Sequence, residues 1–185
     1  MPTRRPLAYL AGPEVFLPAS KQLGEQKKKL CDAHGLEGVF PLDKEPQAKD
    51  ASPTVIAHEI FEICIDLMDS CDLIIANMTP FRGVSMDVGT AIEVGYMFGK
   101  GKPVFGYTNL PVSYHERVVQ ANLEMPGEIV ENYDYADNLM CEVPVQLSAG
   151  VLVRGHAPTE ELLTDLAAFE ECVANAARVM GIDAG

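Results

Sequence analysis

The sequence predicts an α/β protein in which a mostly parallel, roughly five-stranded sheet is covered by helices on both faces. Three observations carry this reading. Short apolar runs alternate along the chain with stretches of helical period, the mark of βα units. The run Leu73-Ile74-Ile75-Ala76 is continuously apolar, as a strand buried on both faces should be. Glycine or proline punctuates the junctions, as at Gly12-Pro13, Gly35 and Gly101-Lys102-Pro103.

The first strand is Leu7-Ala8-Tyr9-Leu10-Ala11, stopped by Gly12-Pro13. A helix follows from about residue 19. It carries Leu23, the stem of Lys27, Leu30, Cys31 and His34 on one side, with Gly35 just past its end, where a left-handed residue closes a helix. Val39-Phe40 is a short second strand. Residues 41–51 mix proline with charges and carry no period, so they form a surface loop of the kind that often binds ligands. Ser52-Pro53 reads as N-cap and first helical residue, and Ile56, Ile60, Ile63 and Leu67 recur at helical spacing to about residue 70.

The third strand covers residues 72–77, with polar ends at Asp72 and Asn77. A helix over 87–99 is ended by the glycines and proline of Gly99-Lys100-Gly101-Lys102-Pro103, and 103–107 is the fourth strand. A short helix is expected over 113–120 and a fifth strand over 128–132. Thr159 caps a last helix to about residue 180. Glu160 and Glu161 favour its dipole, and its apolar stripe is Leu162, Leu166, Phe169, Val173, Ala177 and Met180. No linker or repeat interrupts the pattern, so residues 1–185 are read as one doubly wound domain, the last helix serving packing or subunit contact.

A chain of 185 residues buries about two thirds of the surface its unfolded form exposes. The net charge of −13 repels phosphate backbones and anionic headgroups, so neither nucleic acid nor a membrane is an expected partner. Arg4 and Arg5 precede an apolar stretch too short for a secretion signal, and the expected compartment is the cytoplasm. The five cysteines (Cys31, Cys64, Cys71, Cys141, Cys172) contain no C-x-x-C pair and read as reduced, small apolar residues. The four histidines lack metal-ligand spacing, so no metal site is expected.

In open α/β sheets ligands bind beyond the carboxyl ends of the strands, which directs attention to the loops after the first and third strands. Neither holds a G-x-G-x-x-G or G-x-x-x-x-G-K-[ST] fingerprint, so no nucleotide cofactor is expected. The third unit instead offers three carboxylates, Asp72, Asp87 and Glu93. Paired carboxylates suit glycosidic chemistry, one attacking the anomeric carbon while another, protonated, assists the leaving group.

Asp87 and Glu93 are six positions apart, about 120° around a helix, so both border one pocket only if Asp87 turns across the helix end. Asp87 is equally well explained as a dipole-favoured N-terminal carboxylate. By position alone Asp72 is a polar residue leading into its strand. Gly89, Gly95 and Gly99 within one helix either open space beside Glu93 or let the helix lie close on the sheet. Gly83-Val84-Ser85-Met86-Asp87 begins like a nucleophile elbow but places Asp where Gly is needed.

The segment from Asp87 to Tyr96, D-V-G-T-A-I-E-V-G-Y, closely resembles the nucleoside 2-deoxyribosyltransferase family. So do the preceding Cys71-Asp72-Leu73-Ile74-Ile75-Ala76-Asn77, the opening Tyr9-Leu10-Ala11-Gly12-Pro13 and the later Asn138-Leu139-Met140. The likeness runs from about residue 7 to 140. It implies a flavodoxin-like three-layer sandwich and a nucleoside-salvage enzyme without cofactor, acting on 2′-deoxynucleosides and free nucleobases. Glu93 would be the nucleophile that forms a glycosyl ester at C1′, oriented by Tyr9. Asp72 and Asp87 would face the nucleobase, which overrules the positional reading of Asp72. Asn138 would reach the sugar hydroxyls of a neighbouring subunit, with Met140 beside it, in a homo-oligomer.

Phe16, Met78, Phe81 and Met140 are candidates to screen the ester from water, although such residues are more often simply core. Gly12 and Phe16 in the first loop, Asn77, Phe81 and Arg82 in the third, and Gly89 complete the expected substrate contacts. Arg82 lies in the variable loop and would meet a base or a phosphate. Two other readings compete. A 2′-deoxynucleoside 5′-monophosphate N-hydrolase would use the same glutamate with water as acceptor, but those relatives resemble G-V-G-x-E-L-G and lack the acid at Asp87. A non-catalytic nucleotide-binding module would have no need of Glu93.

Overall fold

The structure, a computed structural model, describes residues 4–48, 50–149 and 151–182. Five parallel strands form one sheet: β1 (Leu7–Ala11), β2 (Glu37–Val39), β3 (Leu73–Asn77), β4 (Val104–Thr108) and β5 (Val153–Arg154), in the order β2-β1-β3-β4-β5. Helices connect them: α1 (Ser20–Ala33), α2 (Pro53–Ser70), α3 (Val88–Gly99), α4 (Tyr114–Gln120), α5 (Leu139–Ala149) and α6 (Ala167–Val179). This order is the flavodoxin-like one, and it places the reversal of winding between β1 and β3. The loops after these two strands leave in opposite directions and open a crevice at their carboxyl ends.

Side chains of a strand alternate between faces, and β1 divides accordingly. Ala8 and Leu10 join Ile75, Phe105 and Tyr107 under α1 and α6, where Cys31, Phe169, Cys172 and Val173 are buried. Tyr9 and Ala11 join Ile74, Ala76 and Val104 on the opposite face, under Met68, Val94, Met97 and Val145. Both faces are covered, which explains the uninterrupted apolar run in β3. Helix α2 is less committed: Leu67 and Met68 near its end are its buried residues, while Val55, Ile60 and Phe61 remain exposed. No helix among the described residues is long and apolar enough to cross a membrane.

Three expectations are corrected. Residues 128–132 form no strand; the segment follows Pro126 and Gly127, and Ile129 stands 91 % exposed. The fifth strand is instead Val153–Arg154, paired through Tyr107↔Val153 and Thr108↔Arg154. The last helix starts at Ala167, because Thr159–Glu161 makes only a single turn. Asn109 Nδ2 donates to the carbonyls of Leu162 (2.9 Å) and Asp165 (3.0 Å), and Asp165 then accepts from the Ala167 amide, so the preceding chain is held out of the helix. Between α4 and β5 the chain also forms α5, which no apolar stripe announced and which contains Pro144.

Candidate active site

Tyr9 sits at the middle of β1, fully buried on the face that α3 covers. Its hydroxyl donates to Glu93 Oε1 at 2.7 Å, a bond between residues 84 positions apart that the sheet and helix together create. On α3, Thr90, Val94 and Met97 face inward, and the neighbouring Glu93 is carried partly out of water with them. Burial pushes its carboxyl up to about 7; the Tyr9 hydrogen bond works against this, and the charge of Asp87 adds to it. Tyr9 itself is raised by burial and by the charge of Glu93, so it stays a neutral donor. Burial also raises the Cys64 thiol of α2, keeping it protonated at neutral pH.

Asp87 is the N-cap of α3: its Oδ2 accepts from the Thr90 amide (2.9 Å) and hydroxyl (3.1 Å). Its side chain therefore turns across the helix end, which is the geometry that lets it influence Glu93 despite the 120° between them. The reading of Asp87 as a carboxylate placed at the helix N-terminus describes this geometry. A Cβ at Gly89 would stand 3.0 Å from that Oδ2, whereas one at Gly95 or Gly99 would meet nothing within 4 Å. Close approach of helix to sheet is thus not what these last two glycines serve.

Asp72 is not brought to the pair. It lies just before β3, at the amino end of the strand, where it accepts from the Leu7 amide (2.7 Å) and from both Arg4 guanidinium nitrogens (2.7 and 2.8 Å). Strand polarity decides this: the crevice is at the carboxyl end, and Asp72 is at the other. Burial acts to raise its carboxyl, but the Arg4 and Leu7 bonds outweigh it and hold it below the usual range.

Asn77 is at the proper end but is buried, giving Nδ2 to Glu14 Oε1 (3.0 Å) and Oδ1 to the Thr79 amide (3.0 Å). Gly12 serves the same arrangement, since a Cβ there would stand 1.9 Å from Glu14 Oε2. Glu14 was not foreseen. It is buried with Lys27 (2.6 Å), and its Oε1 also accepts from the Tyr107 hydroxyl (2.9 Å). The Lys27 ammonium lies 4.6 Å from the Phe169 ring centroid and 5.5 Å from that of Tyr107. The signal for it was Lys27 itself, a charge in the apolar stripe of α1 that required a buried partner.

At the mouth of the crevice Phe16 and Phe81 stack, centroids 5.5 Å apart and planes within 9°. The Arg82 guanidinium lies over both rings, at 5.1 and 4.7 Å, from a backbone held at φ 56°. Met78 is core, fully buried near Gly106. Asn138 and Met140 head α5. Asn138 donates to Glu131 (2.6 Å) and accepts from the Met140 amide (3.0 Å), and the Met140 side chain is 73 % exposed. The preceding Asp137 accepts from the Met86 amide (2.7 Å). The buried Arg117 donates to the carbonyls of Val84, Val112 and Ala136 and so fastens three loops together.

Comparisons with known proteins bear on the family and the fold. The family model for nucleoside 2-deoxyribosyltransferase matches residues 8–140, which includes Tyr9, Asp87, Glu93 and Asn138. An uncharacterized protein of Schizosaccharomyces pombe is 31 % identical over 192 residues, covering 90 % of this chain and 91 % of its own. The structure of a 2-desoxiribosyltransferase from Leishmania mexicana superimposes with a TM-score of 0.61 at 27 % identity, covering 90 % of this chain and 97 % of that one. A 2-deoxyribosyltransferase from Bacillus psychrosaccharolyticus shares the fold, with a TM-score of 0.50 at 18 % identity, covering 89 % and 95 %.

Proposed function

Because the chain belongs to the nucleoside 2-deoxyribosyltransferase family, we propose that it moves 2-deoxyribose between nucleobases by two successive displacements at Glu93. The observation that carries the reading is the 2.7 Å bond from Tyr9 to a carboxyl raised to about 7. A partly desolvated carboxylate held by one neutral donor is both oriented and reactive. Tyr9 fixes Oε1, and the second oxygen attacks C1′ of a 2′-deoxynucleoside. The N-glycosidic bond breaks, its electron pair passes to the ring nitrogen, and Asp87 delivers the proton that the departing base takes up. An incoming base then attacks C1′ from the opposite side, returns its proton to Asp87 and frees Glu93. Two inversions give net retention.

Transfer outcompetes hydrolysis when the ester is sheltered from water. The Phe16–Phe81 stack with Arg82 at the mouth is suited to cover a bound base. The sugar hydroxyls would be met by Asn138 of a neighbouring copy. In support of such a homo-oligomer, Val88 and Ile92 on α3 and Met140 and Leu147 on α5 are exposed apolar residues on two adjacent helices. The role would be nucleoside salvage.

Incubation with a 2′-deoxynucleoside, with and without a second free base, tests the assignment. A new nucleoside is the expected product; free sugar alone would make the protein a hydrolase, and no turnover would make it a binder. Mass spectrometry of quenched enzyme should find the pentosyl adduct on the peptide that contains Glu93.

A further inference from the structure

Asn138 is not free to turn its amide. Its Oδ1 accepts from the Met140 amide (3.0 Å) and its Nδ2 donates to Glu131 Oε1 (2.6 Å), so the nitrogen and the oxygen are each fixed in place. The second bond reaches back across the irregular chain between α4 and α5, and it is short, as bonds to an ionised carboxylate are. Among the described residues no cation pairs with Glu131. Burial raises the Tyr114 phenol and the charges of Glu131 and Asp137 add to the rise, which sets Glu131 beside the residue that holds the Met86 amide at the head of α3. One N–H of Asn138 stays open next to the second oxygen of a half-buried carboxylate. This is the pairing a hydroxyl needs: its oxygen accepts from the amide, and its own proton goes to the carboxylate. A phosphate monoester brings acceptor oxygens and negative charge to the same place, and the carboxylate repels it.

We propose that Glu131 is a specificity-determining residue: it accepts from the 5′-hydroxyl of the deoxyribose that Asn138 holds, and its charge excludes 2′-deoxynucleoside 5′-monophosphates. The proposal rests on the reading that Asn138 meets the sugar. Of the two sugar hydroxyls the 5′ one stands farther from C1′ along the bonds, and so falls to a segment outside the elements that carry Tyr9 and Glu93. The net charge of −13 acts in the same sense at long range, but that field is spread over the surface and screened by salt. Glu131 acts at contact, where like charges discriminate most.

The test separates binding from turnover. In the Glu93→Ala background, where no sugar is transferred, calorimetry gives Kd for 2′-deoxyadenosine, 2′-deoxycytidine and their 5′-monophosphates, with and without Glu131→Gln. This substitution keeps the shape and an acceptor and removes the charge. It should weaken nucleoside binding roughly 3- to 10-fold and tighten monophosphate binding at least about 10-fold. 2′,5′-Dideoxyadenosine lacks the hydroxyl concerned and should bind both forms equally; if the effect vanished with 2′,3′-dideoxyadenosine instead, the assignment to the 5′-hydroxyl would fall. Glu128→Gln removes a charge three residues away in the same segment and should leave the ratio of the two affinities unchanged. In the active enzyme Glu131→Gln should raise KM for the nucleoside by the same factor with kcat little changed. No gain for the monophosphates in Glu131→Gln, or an equal gain in Glu128→Gln, overturns the proposal. A protein in which Glu131→Gln admits the monophosphates, but whose wild type transfers no sugar, would overturn the enzymatic assignment while leaving the role of Glu131 standing.

Discussion

Glu14 and Glu93 are both drawn out of water beside β1, yet their surroundings prepare them for different work. Glu14 is tied at one oxygen to the Lys27 ammonium, the Asn77 amide and the Tyr107 hydroxyl, all within 3.0 Å. Glu93 has a single neutral donor, Tyr9, and a second carboxylate at the head of its own helix; among the described residues it pairs with no cation. The Glu14 carboxylate has its charge matched by a buried counter-ion and has all three donors on Oε1, while Oε2 is buried with no hydrogen-bond partner among the described residues. A carboxylate held by a lone phenol beside another acid carries a charge that its surroundings barely tolerate. The difference between a strut and the proposed nucleophile lies in the partners.

The sharpest way to break this comparison is to remove the reactive member. Glu93→Ala should abolish transfer, by at least about 10⁴-fold as for loss of a covalent nucleophile, with circular dichroism unchanged; residual activity near wild type would end the distinction. Lys27→Met attacks the other member. It leaves Glu14 as an uncompensated buried charge and should cost about 3–5 kcal/mol in chemical denaturation, far more than any exposed ion pair contributes. Tyr9→Phe removes the one donor to Glu93 among the described residues, which favours its charged form. It should lower kcat/KM about 10- to 100-fold and shift the acid limb of the pH profile above its starting point of about 7.

The smallest effect is the most diagnostic of strain. The folded protein holds a proton on Glu93 up to about 7, whereas the unfolded chain releases it near 4.3. Stability therefore falls between those values as pH rises, and the loss is complete above the folded midpoint. Glu93→Gln, which is neutral throughout, should gain on the order of 1 kcal/mol above pH 7, a figure discounted for partial exposure, and nothing near pH 4. Thermal melts at both pH values would check this, and a gain that ignores pH would refute it.

Much of this was legible in the residues. Strands covered on both faces are continuously apolar, so β1, β3 and β4 were found within a residue or two, and Pro53 and Asp87 marked the heads of α2 and α3. The Tyr9, Asp87 and Glu93 grouping followed from the order of motifs. The resemblance sets Asp72 at the nucleobase, whereas strand polarity puts it at the amino end of β3, away from the crevice and bound to Arg4 and Leu7. What local pattern could not reveal depends on partners distant in sequence. Asn109 delays the start of α6, and β5 spans two residues that become a strand only beside β4. Lys27 looked like a stem lying on apolar surface until Glu14 was found beneath it.

Arg117 binds the carbonyl of Val84 in the loop that leads to α3, and that of Ala136 in the segment that leads to α5. Asp137 repeats the link by accepting from Met86, one residue before the cap of α3. These crossties make the two helix heads one mechanical piece. The start of α5, on the face where Met140 stands open, is thus tied to the segment that leads into Asp87 by bonds that bypass the sheet.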